Sequence, residues 1–435
     1  MPTPYRCQVE KSCKGGLDSP CAKGYEGPIC AVCSSGYHKQ LEFCEKCPSK
    51  VWIVAQLSIV LVILSLLFAI LMWKRKTKLV KDEGHYLIDM FFSKLKILVG
   101  FYQVTHGLLD VFSYIEWPDS LQAVPTYSGI LQLNFFQIAP VHCLFLGLHV
   151  NAFGELLLIL TLNLSVIGAS GVCYLIYKTV ILKSHNLEED EKSRKINQTK
   201  QLVYRNLFFF LYVTYLSTFS KTASVLPFAC RKLCRDEKDE MCEEYAKADY
   251  SIKCQGSLYN HWLILAYILT AYVFALPAAS VIVLWRQRRM LFSSTDSNKD
   301  TGTEVVGGLR FLFENYKPTF WYWELVEMSR KAVLTSGLIL VGEETRSYIG
   351  LAWVVAGMYG VLFSWNKPIK VASENRLMST SLAVTILNLG IGAVSRIPAE
   401  NISDEVDKHK DEMAMKILIL AANTLVIGLL VGKDG

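Results

Sequence analysis

The chain has 435 residues, 52% of them hydrophobic and 19% charged, with a formal net charge of +6. Its mean hydropathy of +0.28 is above that of a soluble domain of this size, and so small a net charge excludes a polycationic nucleic-acid binder. No phosphate-binding glycine loop, HExxH, GxSxG or ordered Ser-His-Asp set occurs, and Gly307-Gly308 matches no motif; nothing points to an enzyme.

The first 50 residues hold seven of the thirteen cysteines: Cys7, Cys13, Cys21, Cys30, Cys33, Cys44 and Cys47. The start, MPTPYRCQVEKSC, has no apolar core of a signal peptide, yet the cysteine-rich stretch to residue 50 reads as secreted. Either further ectodomain lies upstream, or the first span acts as a signal anchor. The segment 30-CAVCSSGYHKQLEFCEKC-47 has two CxxC pairs, a spacing that also suits zinc. An extracellular position favours disulfides. The odd seventh cysteine pairs upstream or reaches Cys143.

Nine runs approach the ~20 apolar residues that a spanning helix needs. They are 51–73, 94–116, 152–177, 206–228, 260–284, 320–341, 347–365, 377–395 and 414–432. The apolar stretch 118–150 is broken by Pro118, Pro125 and Pro140 and reads as interfacial or re-entrant. The expectation is an all-α membrane protein of about nine transmembrane helices with a small disulfide-rich extracellular N-terminal module, divided as 1–50 and 51–435.

Orientation follows from lysine and arginine near the span ends. KRKTKLVK, KSRKINQTK, WRQRRM and NKPIK fall in alternate loops, while 118–150 has no lysine or arginine. The bias places the N-terminus outside and the C-terminus inside. Cys230, Cys234, Cys242 and Cys254 then share one outside loop, where they can close two bridges of their own. The sequon at Asn401 also falls outside, that at Asn197 inside, and that at Asn163 within a span. Cys173 reads as a small packing residue inside its span.

Polar residues interrupt the runs. In 321-WYWELVEMSRK-331, Glu324, Glu327, Arg330 and Lys331 recur at intervals of three and four, so they share a helical face. Unpaired charges cost ~2.5–3.5 kcal/mol each at a membrane centre, so these are expected to pair, with Glu324 nearest the headgroups and Lys94 or Lys96 reaching Glu327. Trp321, Tyr322 and Trp323 set the depth as an aromatic belt. The network is either a packing clasp or part of an ion or ligand pathway. Gln103, His106 and Asp110 share a face of the second run, and His106 ordinarily titrates near neutral pH. Lys221 stands among serines and threonines and is expected to snorkel to the outer headgroups. Asn388 and Asn423 read as inter-helix amides.

The segments 95-LKILVGFYQV-104 with 117-WP-118, 245-YAKADYSIKC-254 and 311-FLFENYKPTFWYWELVEMSRKAVLTSGL-338 resemble the transient-receptor-potential-like membrane domain that follows EGF-like ectodomains in animal and protist surface proteins. That domain is similar to those of fungal flavin carriers and, more remotely, polycystins; 24-GYEGPIC-30 has the EGF-like form. The resemblance spans roughly 20–430 and implies a nine-span fold with channel-related activity. It departs where channels place a pore helix: 396-RIPAENISDEVDKHKDEM-413 is polar throughout and reads as a solvated, glycosylated loop. The expected function is that of a cation channel or channel-related sensor in the plasma membrane. A non-conducting receptor and a lipid or small-molecule carrier are the alternatives. Expected partners are the bilayer, a cation or lipid ligand and further copies of the chain, with no cofactor or metal.

Overall fold

The computed structural model of the chain describes residues 7, 10–15, 20–40, 43–56, 58, 59, 62, 83–112, 143, 151–183, 188–234, 242–293, 308–338, 346–395 and 426; the side chains of 10, 40, 83–92, 110, 289–293, 346 and 347 lie outside the description.

The N-terminal module is two small hairpins, β1 (Tyr25–Glu26) with β2 (Val32–Cys33) and β3 (Tyr37–Gln40) with β4 (Phe43–Lys46). So little chain buries too little apolar surface to fold unaided, and disulfides supply the constraint. The bridges are Cys7–Cys13, Cys21–Cys30 and Cys33–Cys44. Gly24, at φ +95°, passes so close to Tyr37 that a Cβ would meet its ring at 2.7 Å. Cys47 pairs with Cys143, which tethers the module to the 118–150 region. The four cysteines of the two CxxC pairs thus enter three different bridges, which removes the thiolates that the zinc spacing would need.

A second small sheet, β5 (Cys230–Cys234), β6 (Cys242–Ala246) and β7 (Asp249–Lys253), is closed by Cys230–Cys254 and Cys234–Cys242, both within the loop as its cysteine count implied. The two cysteine-stapled pieces touch: Lys39 Nζ donates to the Ala248 carbonyl at 3.3 Å. They therefore lie on one face of the molecule.

Among the described residues the apolar runs form α1 (Glu83–Val111), α2 (Ala152–Lys183), α3 (Glu189–Ala223), α4 (Ser257–Ser293), α5 (Trp323–Thr335), α6 (Arg346–Asn366) and α7 (Ala372–Ser395). Asn151 caps α2, its side-chain oxygen accepting from the Gly154 N–H at 3.0 Å. The Asp249 carboxylate of β7 accepts from the Ala152 N–H at 3.3 Å, which ties the start of α2 to the cysteine-bearing face. One core sits there, with Phe153, Leu156, Ala246, Ile252 and Tyr259. Below it, α5 lies between two helix groups. Leu325, Met328 and Ala332 pack with α3 and α4, and Leu334 and Leu338 pack with α1, α6 and α7.

The expectation of about nine spans is corrected. Among the described residues four helices are long and apolar enough to cross a membrane: 152–183, 257–288, 348–366 and 372–394. They carry outward leucine, isoleucine, valine and aromatic side chains, such as Leu175, Ile268 and Val361, each more than half exposed. Such faces match acyl chains, and the chain is a membrane protein with four such spans described. The other runs fail for identifiable reasons. α5 has 13 residues, about 20 Å of helix against a hydrocarbon core of about 30 Å. The charged start of α3, 189-EDEKSRKINQTK-200, and the hydroxyls and Lys221 of its second half dilute its apolar content. The second run is α1, interrupted by Lys94, Lys96, Gln103, His106 and Asp110. Most of the run 51–73, all but one residue of 414–432, the stretch 118–150 apart from Cys143, and the loop bearing Asn401 lie outside the described residues.

Candidate functional site

The segment 315–317 pairs with 368–370 just before α7. The Lys317 N–H donates to the Pro368 carbonyl at 2.8 Å and the Lys370 N–H to the Asn315 carbonyl at 3.0 Å. Asn375 steadies this corner, accepting from the Ile369 N–H and donating to the Ile369 carbonyl. The starts of α5 and α7 are thereby held side by side. α1 runs parallel to α5: Asn315 Nδ2 donates to Ser93 Oγ at 3.2 Å near one end, and Gly107 abuts Thr335 near the other. α4 leaves the Cys254 end and brings Trp285 to 6.3 Å from Trp321, so the start of α5 is on the face opposite the cysteines.

Here the four charges of 321-WYWELVEMSRK-331 come together, as their spacing predicts. Glu327 takes a bidentate pair from Arg330, Nη2 to Oε1 at 2.6 Å and Nε to Oε2 at 3.0 Å, with both side chains 5% exposed. Lys331 Nζ stands 3.5 Å from the same Oε1. Glu324 is also buried. Its Oε2 holds Lys96 Nζ at 2.7 Å and accepts from the Tyr316 hydroxyl at 2.8 Å. Burial, reinforced by Glu324 beside it, pushes the Tyr316 phenol well above its ordinary range, so it stays a donor. Lys96 thus pairs with Glu324 and not with Glu327.

The Arg330 guanidinium lies over the Tyr359 ring at 5.0 Å, and Tyr359 Oη accepts from Trp323 Nε1 at 3.0 Å. Arg330 Nη1 is buried and makes no hydrogen bond among the described residues, a shortfall that costs about 1–3 kcal/mol when nothing fills it. The charges wall a pocket between α1, α5 and α7 that leaves about 30 Å³ for the centres of water molecules, at least about twice what one water requires. Lys96, with its side chain 35% exposed, stands at the mouth.

Other expected site residues lie elsewhere. Gln103 and His106 are buried on α1 but do not line the pocket, and the side chain of Asp110 is outside the description. Lys221 Nζ pairs with Glu155 at 2.5 Å, joining α3 to α2. Asn163 is spent between the same helices, accepting from Thr214 Oγ1 at 2.9 Å and donating to Thr218 Oγ1 at 3.3 Å. Cys173 is free and exposed.

Three contributors were not legible. Glu374 precedes the apolar run 377–395, but α7 begins at Ala372 and buries it. Ser381 and Thr385 lie further along the same face and line the pocket. The signal lies in the spacing, Ser381 seven residues beyond Glu374 and Thr385 four beyond Ser381. No family model, curated protein or solved structure matches the chain.

Proposed function

We propose that the chain is a channel-related sensor of the plasma membrane, with the cysteine-stapled pieces outside and the charged pocket at the inner boundary. One observation carries the reading: a fully ion-paired, almost entirely buried Glu327–Arg330 couple forms the wall of a pocket that water can enter. Charges placed at such cost inside a bundle are expected at functional sites. The loop charges and the shared face of the two disulfide clusters support an outside N-terminus and an inside C-terminus. On that topology Asn401 carries a glycan.

A pocket of this size is a binding chamber rather than a conduction path, and the paired interior also favours a second reading, a non-conducting receptor. The test is cation flux through the purified chain in liposomes. Currents that Lys331→Gln shifts in amplitude or threshold are expected. Silent vesicles containing folded, correctly oriented protein would refute the channel-related reading and leave the receptor.

A further inference from the structure

We infer that the pocket between α1, α5 and α7 binds a small oxyanion of the phosphate class, held by Arg330 and Lys331 with Lys96 at the entrance. Such a ligand deepens the sensing role by giving it a chemistry, and it rests on that role only for its purpose, since binding is measured without transport.

The pocket walls carry as many basic as acidic side chains, so the sign of a guest is decided by which groups are already occupied. Glu327 gives both oxygens to Arg330 at 2.6 and 3.0 Å. Glu324 holds Lys96 at 2.7 Å and Tyr316 at 2.8 Å through one oxygen. Glu374, the third carboxylate, is itself engaged. A cation entering here would meet Arg330, Lys331 and Lys96 beside carboxylates that already hold donors. The donors are not so occupied. Among the described residues Arg330 Nη1 has no hydrogen-bond partner, although its side chain is 5% exposed. The Lys331 ammonium has three N–H groups and meets Glu327 only at 3.5 Å. It lies over Gly100, where even a Cβ would collide with Nζ; a glycine there leaves the ammonium its place. A tetrahedral oxyanion offers several acceptors to a guanidinium edge and an ammonium at once. The source is either free phosphate or a phosphomonoester lipid headgroup reaching past Lys96.

The test uses the full purified chain in detergent, with thermal unfolding followed as sodium phosphate is titrated against chloride at constant ionic strength. A saturable rise in Tm is expected. Lys331→Met and Arg330→Lys should each weaken the apparent affinity by about tenfold, the loss of one charged hydrogen bond. Lys195→Met, on the exposed flank of α3, serves as the charge control and should keep the wild-type response. If Lys331→Met does not fold, Gly100→Ala crowds the ammonium instead and should weaken the response in the same way. Phosphate-free nanodiscs of phosphatidylcholine, with and without a phosphatidylinositol monophosphate, separate the sources. A response to soluble phosphate assigns the free anion, and one confined to the headgroup assigns the lipid. No saturable response to either, an unchanged response in Lys331→Met, or stabilisation by calcium or magnesium alone would overturn the site. Intact phosphate binding with no effect on cation flux would count against the sensing role and leave the site standing.

Discussion

Lys96 and Glu324 meet at 2.7 Å across two helices, with the lysine side chain 35% exposed and the glutamate 8%. The asymmetry ranks the two acids of α5. Removing Glu327 strands Arg330, which is 5% exposed, whereas removing Glu324 strands a lysine that water already reaches. Breaking a fully buried pair costs about 3–5 kcal/mol. Glu327→Gln should therefore lower thermal stability far more than Glu324→Gln, and Glu327→Leu with Arg330→Met should recover most of the loss. Equal melting temperatures for the two single variants would show that the pair is solvated.

Two glycines of α1 separate side-chain crowding from backbone crowding. A Cβ at Gly100 meets the mobile tip of Lys331, while one at Gly107 meets Thr335 Cγ2 at 2.5 Å and Cα at 3.3 Å. A lysine tail can swing aside and a helix backbone cannot. Gly107→Ala should cost about 1–3 kcal/mol by overpacking and Gly100→Ala less. Chemical or thermal unfolding of the two variants side by side gives the order, and a reversed order would mean that α1 and α5 do not pack through Gly107 and Thr335.

Lys221 and Glu155 join α3 to α2 at partly exposed positions. Such a pair contributes about 1 kcal/mol or less. Lys221→Glu should lower the melting temperature by a small amount, and adding Glu155→Lys should restore it. A double variant no better than the single would place the two side chains apart.

The Cys47–Cys143 bridge closes 96 residues of chain. Peptide mapping without reductant should recover the two cysteines in one linked fragment, and Cys47→Ser should cost about 2–5 kcal/mol, the usual loss for a native bridge in a small domain. Covalent dimers through Cys47 would contradict the pairing.

Lys39 on the N-terminal module reaches Ala248 in the β6–β7 turn. Epitope tags beside Lys39 and in the 235–241 loop should therefore be labelled from the same side of intact cells. Labelling of one tag before permeabilisation and of the other only after it would dissociate the two modules.

Much of this was legible in the chain. The runs of α2, α4, α6 and α7 are long and nearly uncharged, and a bilayer leaves such a run no better state than a helix with every backbone group paired. The oxidation of the clustered cysteines and the Glu327–Arg330 pair also follow locally, the latter because residues three apart on a helix face one another. Nine apolar runs overstate the spans because the charges within α1, α3 and α5 mark helices that bury polar faces against other helices. What only the tertiary structure decided are the meetings of residues far apart in sequence: Lys96 with Glu324, Cys47 with Cys143, Lys221 with Glu155, and Glu374 at the pocket. Local periodicity states which face of a helix is polar. Only the packing of one helix on another determines which second face that polarity meets, and which donor, here Arg330 Nη1, is left over.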